Sequence, residues 1–242
     1  MEINLSANIF EKDITFLFPD ADYMGRIKLS ALFRAFADIA GDHYIARNLD
    51  YDFLRENDYV FLMSRLALKI HKYPESKKTY KISTWEYAHK GAMFMRASEM
   101  RDESGNLLCE SEAGWVCMSV SEHRILRPKE FKFLCETTDK SPSVSIGRIN
   151  MKEENFCCEY LPRMTDIDMN GHVYNGVYGD IVQNSLSKED FEKGFSEVKI
   201  NYMNEITLGE KVSVMTESSD NGIIVRGRNK NTVCFEFEGI YR

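Results

Sequence analysis

Residues 20 to 27 read DADYMGRI and residues 166 to 173 read DIDMNGHV, and whether the second stretch echoes the first decides how the chain folds. After the first, Leu29, Leu32, Phe33, Phe36, Ile39, Ala40 and Tyr44 follow the three-and-four spacing of one apolar helix face over roughly 28 to 47. After the second, Val173, Val177, Ile181 and Val182 make a shorter stripe of the same kind. Each predicted helix then gives way to alternating, β-branched and aromatic segments. In the first half these are VFLMSRLALKIHKY, KTYKISTWEY, GAMFMRASEMRD and LLCESEAGWVCMSV, separated by the turn-like YPESKK, AHKG and DESGN. In the second half they are FSEVKINYM, KVSVMTES, GIIVRGRN and TVCFEFEGIY. One long helix followed by an antiparallel strand meander therefore occurs twice.

The repeat can be placed in register. LKIHKYPESKKTYKI at 68 to 82 lies over VKINYMNEITLGEKV at 198 to 212, and this offset differs by 16 residues from that of the two loops, which fits an insertion around NLDYDFLREND. This register sets Glu75 opposite Glu205. Between the halves, SEHRILRPKEFKFLCETTDKSPSVSIGRIN has no clear period and reads as a surface linker. The predicted architecture is α+β: an N-terminal unit over 1–122, a linker over 123–150 and a C-terminal unit over 151–242, each a helix wrapped by a curved antiparallel sheet. Such a tandem would build inside one chain the two-fold pair that single-copy versions must assemble as a dimer. It removes the need for a homodimer without forbidding one.

Bulk composition narrows the function. With 43% hydrophobic and 29% charged residues the 242-residue chain has an ordinary globular balance. A formal net charge of -7 and the lack of any long Lys/Arg run argue against nucleic acid as a partner. MEINLSANIFEKDITF has neither the basic start nor the apolar run of a signal peptide, and no stretch of about 18 apolar residues exists to span a bilayer, so a cytoplasmic protein without stable membrane association is expected. The six cysteines include no CxxC pair and read as scattered structural thiols.

The loop DIDMNG offers oxygens at calcium-loop positions 1, 3 and 5 and glycine at 6, but Val177 stands at position 12, where a bidentate Glu must close the cage. No metal and no cofactor are expected. Asp168, Asn170, His172 and Asn175 cluster instead at the start of the second helix. Free N–H groups there suit developing negative charge, and an imidazole or carboxamide can hold water or polarise a carbonyl. An N-cap with a structural histidine accounts for the same residues equally well.

DIDMNGHVYNGVY followed by INYMNEITLGEKV, together with SRLALKI, STWEY and SEAGWVCMSVSEHRILRP, resembles the acyl-ACP thioesterases of bacteria and plants, over nearly the whole chain from about residue 10. The resemblance implies two tandem hot-dog domains, hydrolysis of fatty acyl-[acyl carrier protein] to free fatty acid as the end of fatty acid synthesis, and acyl carrier protein as partner. It also implies catalysis from a D-x-N-x-H segment and a later Glu, which match Asp168, Asn170, His172 and Glu205. Plant members carry a Cys after that Glu. Ile206 stands there in this chain, which excludes a thiol nucleophile at that place and favours attack driven by the carboxylate.

The first-half loop has Met24 and Arg26 where Asn170 and His172 stand, so a single active site is expected. The N-terminal half is then free to house the acyl chain, with Met63, Trp85, Met93 and Met95 as candidate lining, although core packing explains them as well. For an acidic carrier protein the candidate basic contacts are Lys72, Lys77 and Lys78 in one turn, and Arg124, Arg127, Lys129 and Lys132 at the linker start. An acyl-CoA thioesterase, another hot-dog enzyme such as a hydratase, or a non-catalytic acyl-binding module are the competing readings.

Overall fold

The computed structural model describes residues 3–242 and shows one large antiparallel sheet with few helices. The first half contributes β1 (Phe10–Thr15), α1 (Leu29–Ala46), α2 (Tyr51–Glu56), β2 (Tyr59–Ile70), β3 (Thr79–Lys90), β4 (Met93–Arg101) and β5 (Leu107–Ser119). A short β6 (Arg124–Leu126) follows. The second half contributes β7 (Asn155–Tyr160), α3 (Val177–Asn184), α4 (Lys188–Lys193), β8 (Phe195–Tyr202), β9 (Val212–Ser219), β10 (Gly222–Asn229) and β11 (Thr232–Tyr241).

The strand order is β1-β3-β4-β5-β2-β8-β11-β10-β9-β7. Read from either edge inward the connectivity is the same, and the halves join where β2 pairs antiparallel with β8 from Arg65↔Asn201 to Lys69↔Glu197. The four strands predicted in each half are all present. The outer strand β1, the short β6 and the helices α2 and α4 are additions to them, and the strand-like NFCCEY forms the other outer strand, β7. FEKDIT is short and its exposure alternates fully, so its sequence alone carries little strand signal.

Helix α1 lies on the sheet because Leu29, Leu32, Phe33, Phe36 and Ile39 form a buried stripe. Those residues share one continuous core with Tyr178, Ile181 and Val182 of α3 and with strand residues from both halves. The two helices approach closely at Gly179, where an added Cβ would lie 2.5 Å from the Ser30 nitrogen. Gln183 of α3 accepts the free Leu29 amide at the start of α1, 2.9 Å away, which satisfies one of the donors a helix start leaves open.

The stretch after β5 is more than a spacer. Beyond β6 it first packs Phe131 against Phe61 and Phe94 and buries Cys135 on the α1 side, then from about residue 140 runs over the opposite sheet face, where Val144 and Ile149 are buried. Carboxylates on β5 hold it: Glu110 accepts from the Ser143 amide at 3.3 Å and Glu112 from the Ile146 amide at 2.5 Å. Its sparse, irregularly spaced apolar residues hide this burial, because it packs without a regular period.

Candidate active site

The two loops of the repeat fold alike. In each, an Asp accepts backbone amides two and four residues on: Asp22 from Met24 at 2.8 Å and Arg26 at 2.9 Å, Asp168 from Asn170 at 2.8 Å and His172 at 3.4 Å. Gly25 and Gly171 take positive φ of 80° and 84°, a backbone state that a Cβ disfavours. Asp168 is therefore the residue that shapes the loop, its Oδ1 accepting both amides. Asp166 is likewise engaged, by the Tyr160 hydroxyl at 2.6 Å.

From this loop His172 Nε2 lies 2.9 Å from Glu205 Oε2, with both side chains partly open to solvent. Glu205 lies just beyond the end of β8, after Met203 and Asn204. His172 and Thr207 form an isolated bridge and the Val173 amide donates to the Ile206 carbonyl at 2.8 Å, so the backbone sets the pair's spacing. Asn170 stands beside them, its Oδ1 accepting from the Tyr51 hydroxyl of α2 at 3.2 Å. That bond orients the carboxamide and leaves Nδ2 free to donate. Asn175 also borders the site and is tied through its carbonyl to the Tyr202 hydroxyl at 3.2 Å.

All four predicted site residues border one cavity of about 830 Å³ that runs from this rim between α1 and the sheet of the first half. Its walls include Tyr44, Leu49, Leu54, Val60, Phe61, Met63, Phe94 and Trp115. The rim also carries the Tyr174 hydroxyl, which donates to Asp38 of α1 at 2.8 Å. Burial raises the Asp38 carboxyl above its ordinary range, partly offset by that bond, and burial also raises the Tyr174 phenol. No cysteine lines the cavity among the described residues, and the position after Glu205 is the buried Ile206.

Three sequence expectations change. Of the four candidate lining residues only Met63 faces the cavity. Trp85, Met93 and Met95 sit on the opposite face: the Trp85 indole donates to the Lys140 carbonyl, and Met93 packs at Gly114 beside Ile146 of the connecting stretch. The physical reason is strand parity. Phe94 and Arg96 face the cavity, so their neighbours Met93 and Met95 cannot. Both faces of β4 are buried, which removes the polar alternation that would have told them apart.

The register placing Glu75 opposite Glu205 is two residues off. The amides of His71 and Lys72 converge on the Leu108 carbonyl as those of Met203 and Asn204 converge on the Cys234 carbonyl, so Tyr73 is the counterpart of Glu205. Finally, the seven candidate carrier-protein contacts do not form one patch. Lys72 bonds to Leu108 at one end of β5 and Arg124 pairs with Ser119 at the other, roughly 40 Å apart along the strand at ~3.4 Å per residue. Lys78 is paired with Glu75, Lys77 lies over the Phe18 ring, and Arg124 is held by Glu122 and Glu130. Arg127, Lys129 and Lys132 remain exposed near Ile125, which lines the cavity.

Sequence reasoning missed Tyr51, Asp38 and Tyr202. Tyr51 falls in NLDYDFLREND, which reads as an insertion; nothing local marks it as a partner of Asn170, 119 residues away.

A His–Glu pair carried on two loops thus stands at the rim of a cavity whose walls are mostly apolar. Residues 7–131 match the model of the acyl-ACP thioesterase N-terminal domain, and residues 149–236 match that of the acyl-ACP thioesterase C-terminal domain. The chain belongs to the acyl-ACP thioesterase family and is a thioester hydrolase acting on acyl-ACP. A crystal structure of an acyl-ACP thioesterase from Bacteroides thetaiotaomicron superposes with a TM-score of 0.86 at 18% identity, covering 97% of this chain and 98% of that one. The 12:0-ACP thioesterase from Umbellularia californica superposes at 0.83 with 17% identity, covering 97% of each chain. These likenesses are of fold. No curated protein matches the sequence. Among the described residues no helix is long and apolar enough to cross a membrane.

Proposed function

We propose that Glu205 is the general base of the hydrolysis, and that Asn170 and His172 position its water and the thioester carbonyl. The reading is carried by the 2.9 Å contact of His172 with Glu205 at the rim of the acyl-sized cavity. Glu205 takes a proton as water oxygen bonds to the carbonyl carbon. The C–S bond then breaks, and the proton held on Glu205 passes to the departing sulfur, leaving free fatty acid and the carrier thiol. Asn170 Nδ2, freed by the Tyr51 contact, donates to the carbonyl oxygen, and Asp168 keeps the loop in shape. Of the backbone amides at 172 to 176, those of His172, Val173 and Tyr174 are already bonded within the protein, so the amides of Asn175 and Gly176 help to hold the oxyanion.

The two halves divide this work as tandem hot-dog domains, 1–122 and 151–242, with 123–150 between them; the identical strand order of the halves supports that division. They form an internal pseudo-dimer, the first half holding the acyl chain and the second the chemistry. Acyl carrier protein, which is acidic, approaches over Arg127, Lys129 and Lys132 beside the cavity mouth, in the cytosol, where the reaction ends fatty acid synthesis.

The test is release of free fatty acid from acyl-ACPs of graded length beside the matching acyl-CoAs, using wild type and Glu205→Gln. Carrier-dependent release that collapses in the variant is the expected result. Full activity in Glu205→Gln removes the base from this scheme, and equal or better rates on acyl-CoA remove the carrier protein.

A further inference from the structure

The cavity begins at the catalytic rim and ends on charge. Across the sheet its walls pass from β2 through Trp115 of β5 and Phe94 of β4 to Glu86 of β3. Three strand spacings of ~4.8 Å put β3 roughly 14 Å from β2, on the side away from β8 and Glu205. There Glu86 Oε1 accepts from Arg96 Nη2 at 2.6 Å and from Arg47 Nη1 at 3.2 Å. Arg96 Nη1 also contacts His43 Nδ1 at 2.9 Å, and the His43 Nε2 proton goes to Asn8 Oδ1 at 2.7 Å. Arg47 continues to Asn8 Oδ1 and the Ser6 carbonyl, so the N-terminal segment closes the far end.

Arg47, Glu86 and Arg96 are 1%, 2% and 3% exposed. Two guanidiniums face one carboxylate, and His43 is neutral because burial and both guanidiniums lower its pKa to about 3. The cluster thus carries a net positive charge inside the protein. Glu86 Oε2 and Arg47 Nε are buried without a hydrogen-bond partner among the described residues. Of the three, Glu86 and Arg96 border the cavity and Arg47 stands behind them, so a terminal methyl that reaches this end meets charged groups in place of apolar wall and returns no hydrogen bond, which opposes binding. Apolar walls reward each methylene that enters, so the two effects together define a length.

We propose that the Arg47–Glu86–Arg96 cluster is the floor of the acyl channel and sets the longest hydrocarbon chain this enzyme accepts. The proposal rests on the cavity being the acyl site, and it makes these three side chains specificity-determining residues with no part in the hydrolysis itself.

The experiment measures binding of free fatty acids in two-carbon steps by calorimetry, for wild type and for the triple variant Arg47→Met/Glu86→Met/Arg96→Met. Removing all three charges together leaves no unpaired buried ion. In wild type, affinity rises by up to roughly fifteenfold per step while two methylenes are being buried, then falls at one length. In the variant that break moves at least one step longer. The ω-hydroxy analogue of the first rejected acid, tested on wild type, binds at least about tenfold tighter than the rejected acid itself, because a hydroxyl can pair with the floor where a methyl cannot.

A break that stays in place in the folded triple variant overturns the proposal, as does the absence of any break in wild type. Should the variant not fold, the ω-hydroxy comparison decides: no gain over the methyl-ended acid sinks the charged floor. If the binding series behaves as stated but no thioester is cleaved, the hydrolytic reading fails and the floor stands.

Discussion

The loops at 22–26 and 168–172 share one backbone and have opposite fates. In the first, Arg26 is sealed: Nη1 donates to the Glu192 carbonyl at 3.0 Å and Nη2 to the Phe191 carbonyl at 2.7 Å, closing the end of α4. The guanidinium also lies over the rings of Phe191 and Tyr73. Gly194, at a φ of 67°, makes room for it, since a Cβ there would come within 2.5 Å of Arg26 Nη1. Tyr73, at the position of Glu205, uses its hydroxyl to accept the Phe195 amide at 3.0 Å. In the second loop, α2 takes the place of α4 but offers only the Tyr51 hydroxyl, and His172 and Glu205 stay open to the cavity. Two halves of the same strand order put a cation to structural use in one loop and leave a His–Glu pair accessible at the other. The difference lies in what the facing short helix covers.

The sharpest way to break this comparison is to disable each loop in turn. Glu205→Gln and His172→Ala are each expected to lower kcat by roughly 10²–10⁴, and the double variant should be little worse than the poorer single one, because the two act as a unit. Strictly multiplicative losses would show that they work separately. Arg26→Ala, by contrast, should keep kcat within about twofold and lower the melting temperature.

Acid should weaken the first half through its buried histidine. His43 is held neutral with its pKa lowered to about 3, whereas in the unfolded chain it titrates near ~6.5. The unfolded state therefore binds the proton first, and stability is lost progressively as pH falls from about 6.5 towards the folded value. Chemical denaturation from pH 7.5 to 5 measures the slope. His43→Gln should flatten it, and an unchanged slope would assign it to other groups.

The crossing of α1 and α3, which sets the two halves against each other, is tested by Gly179→Ala. The added methyl meets the Ser30 backbone and should cost about 1–3 kcal/mol, read as several degrees in melting temperature. A neutral result would mean that the helices separate easily.

Tyr51→Phe removes only the bond that orients Asn170. A drop of about three- to tenfold in kcat/KM is expected, corresponding to ~0.5–1.5 kcal/mol for one hydrogen bond. The smallest effect should come from transplanting the chemistry. Arg26→His with Tyr73→Glu, in a Glu205→Gln background, is expected to restore nothing, because α4 still covers that loop. Any recovered hydrolysis would show that residue type alone separates the two copies.

Much of this was legible from residues alone. The three-and-four spacing over 28 to 47 marks α1 to within a residue at each end, since one buried helical face leaves a periodic trace. Alternation and turn residues mark β2 to β5 and their second-half equivalents. The spacing of Asp168, Asn170 and His172 singles out the loop, because an Asx-type turn presents its residues locally. The strand faces were not legible: Trp85, Met93 and Met95 are as apolar as the true lining, and β4 is buried on both sides. The Glu75 register failed for a related reason, a chance identity in a turn where backbone hydrogen bonds, and not side chains, fix the alignment.

Local information therefore determined the order of elements, the repeat and the residues that can do chemistry, since helix and strand periods and turn geometry depend on neighbours a few positions away. Tertiary structure decided which copy is open, which strand face lines the cavity, and that Tyr51 serves Asn170 while Arg47 and Arg96 meet Glu86. Those outcomes depend on contacts between residues far apart in the chain, and no local pattern encodes which distant surface will come to cover a given side chain.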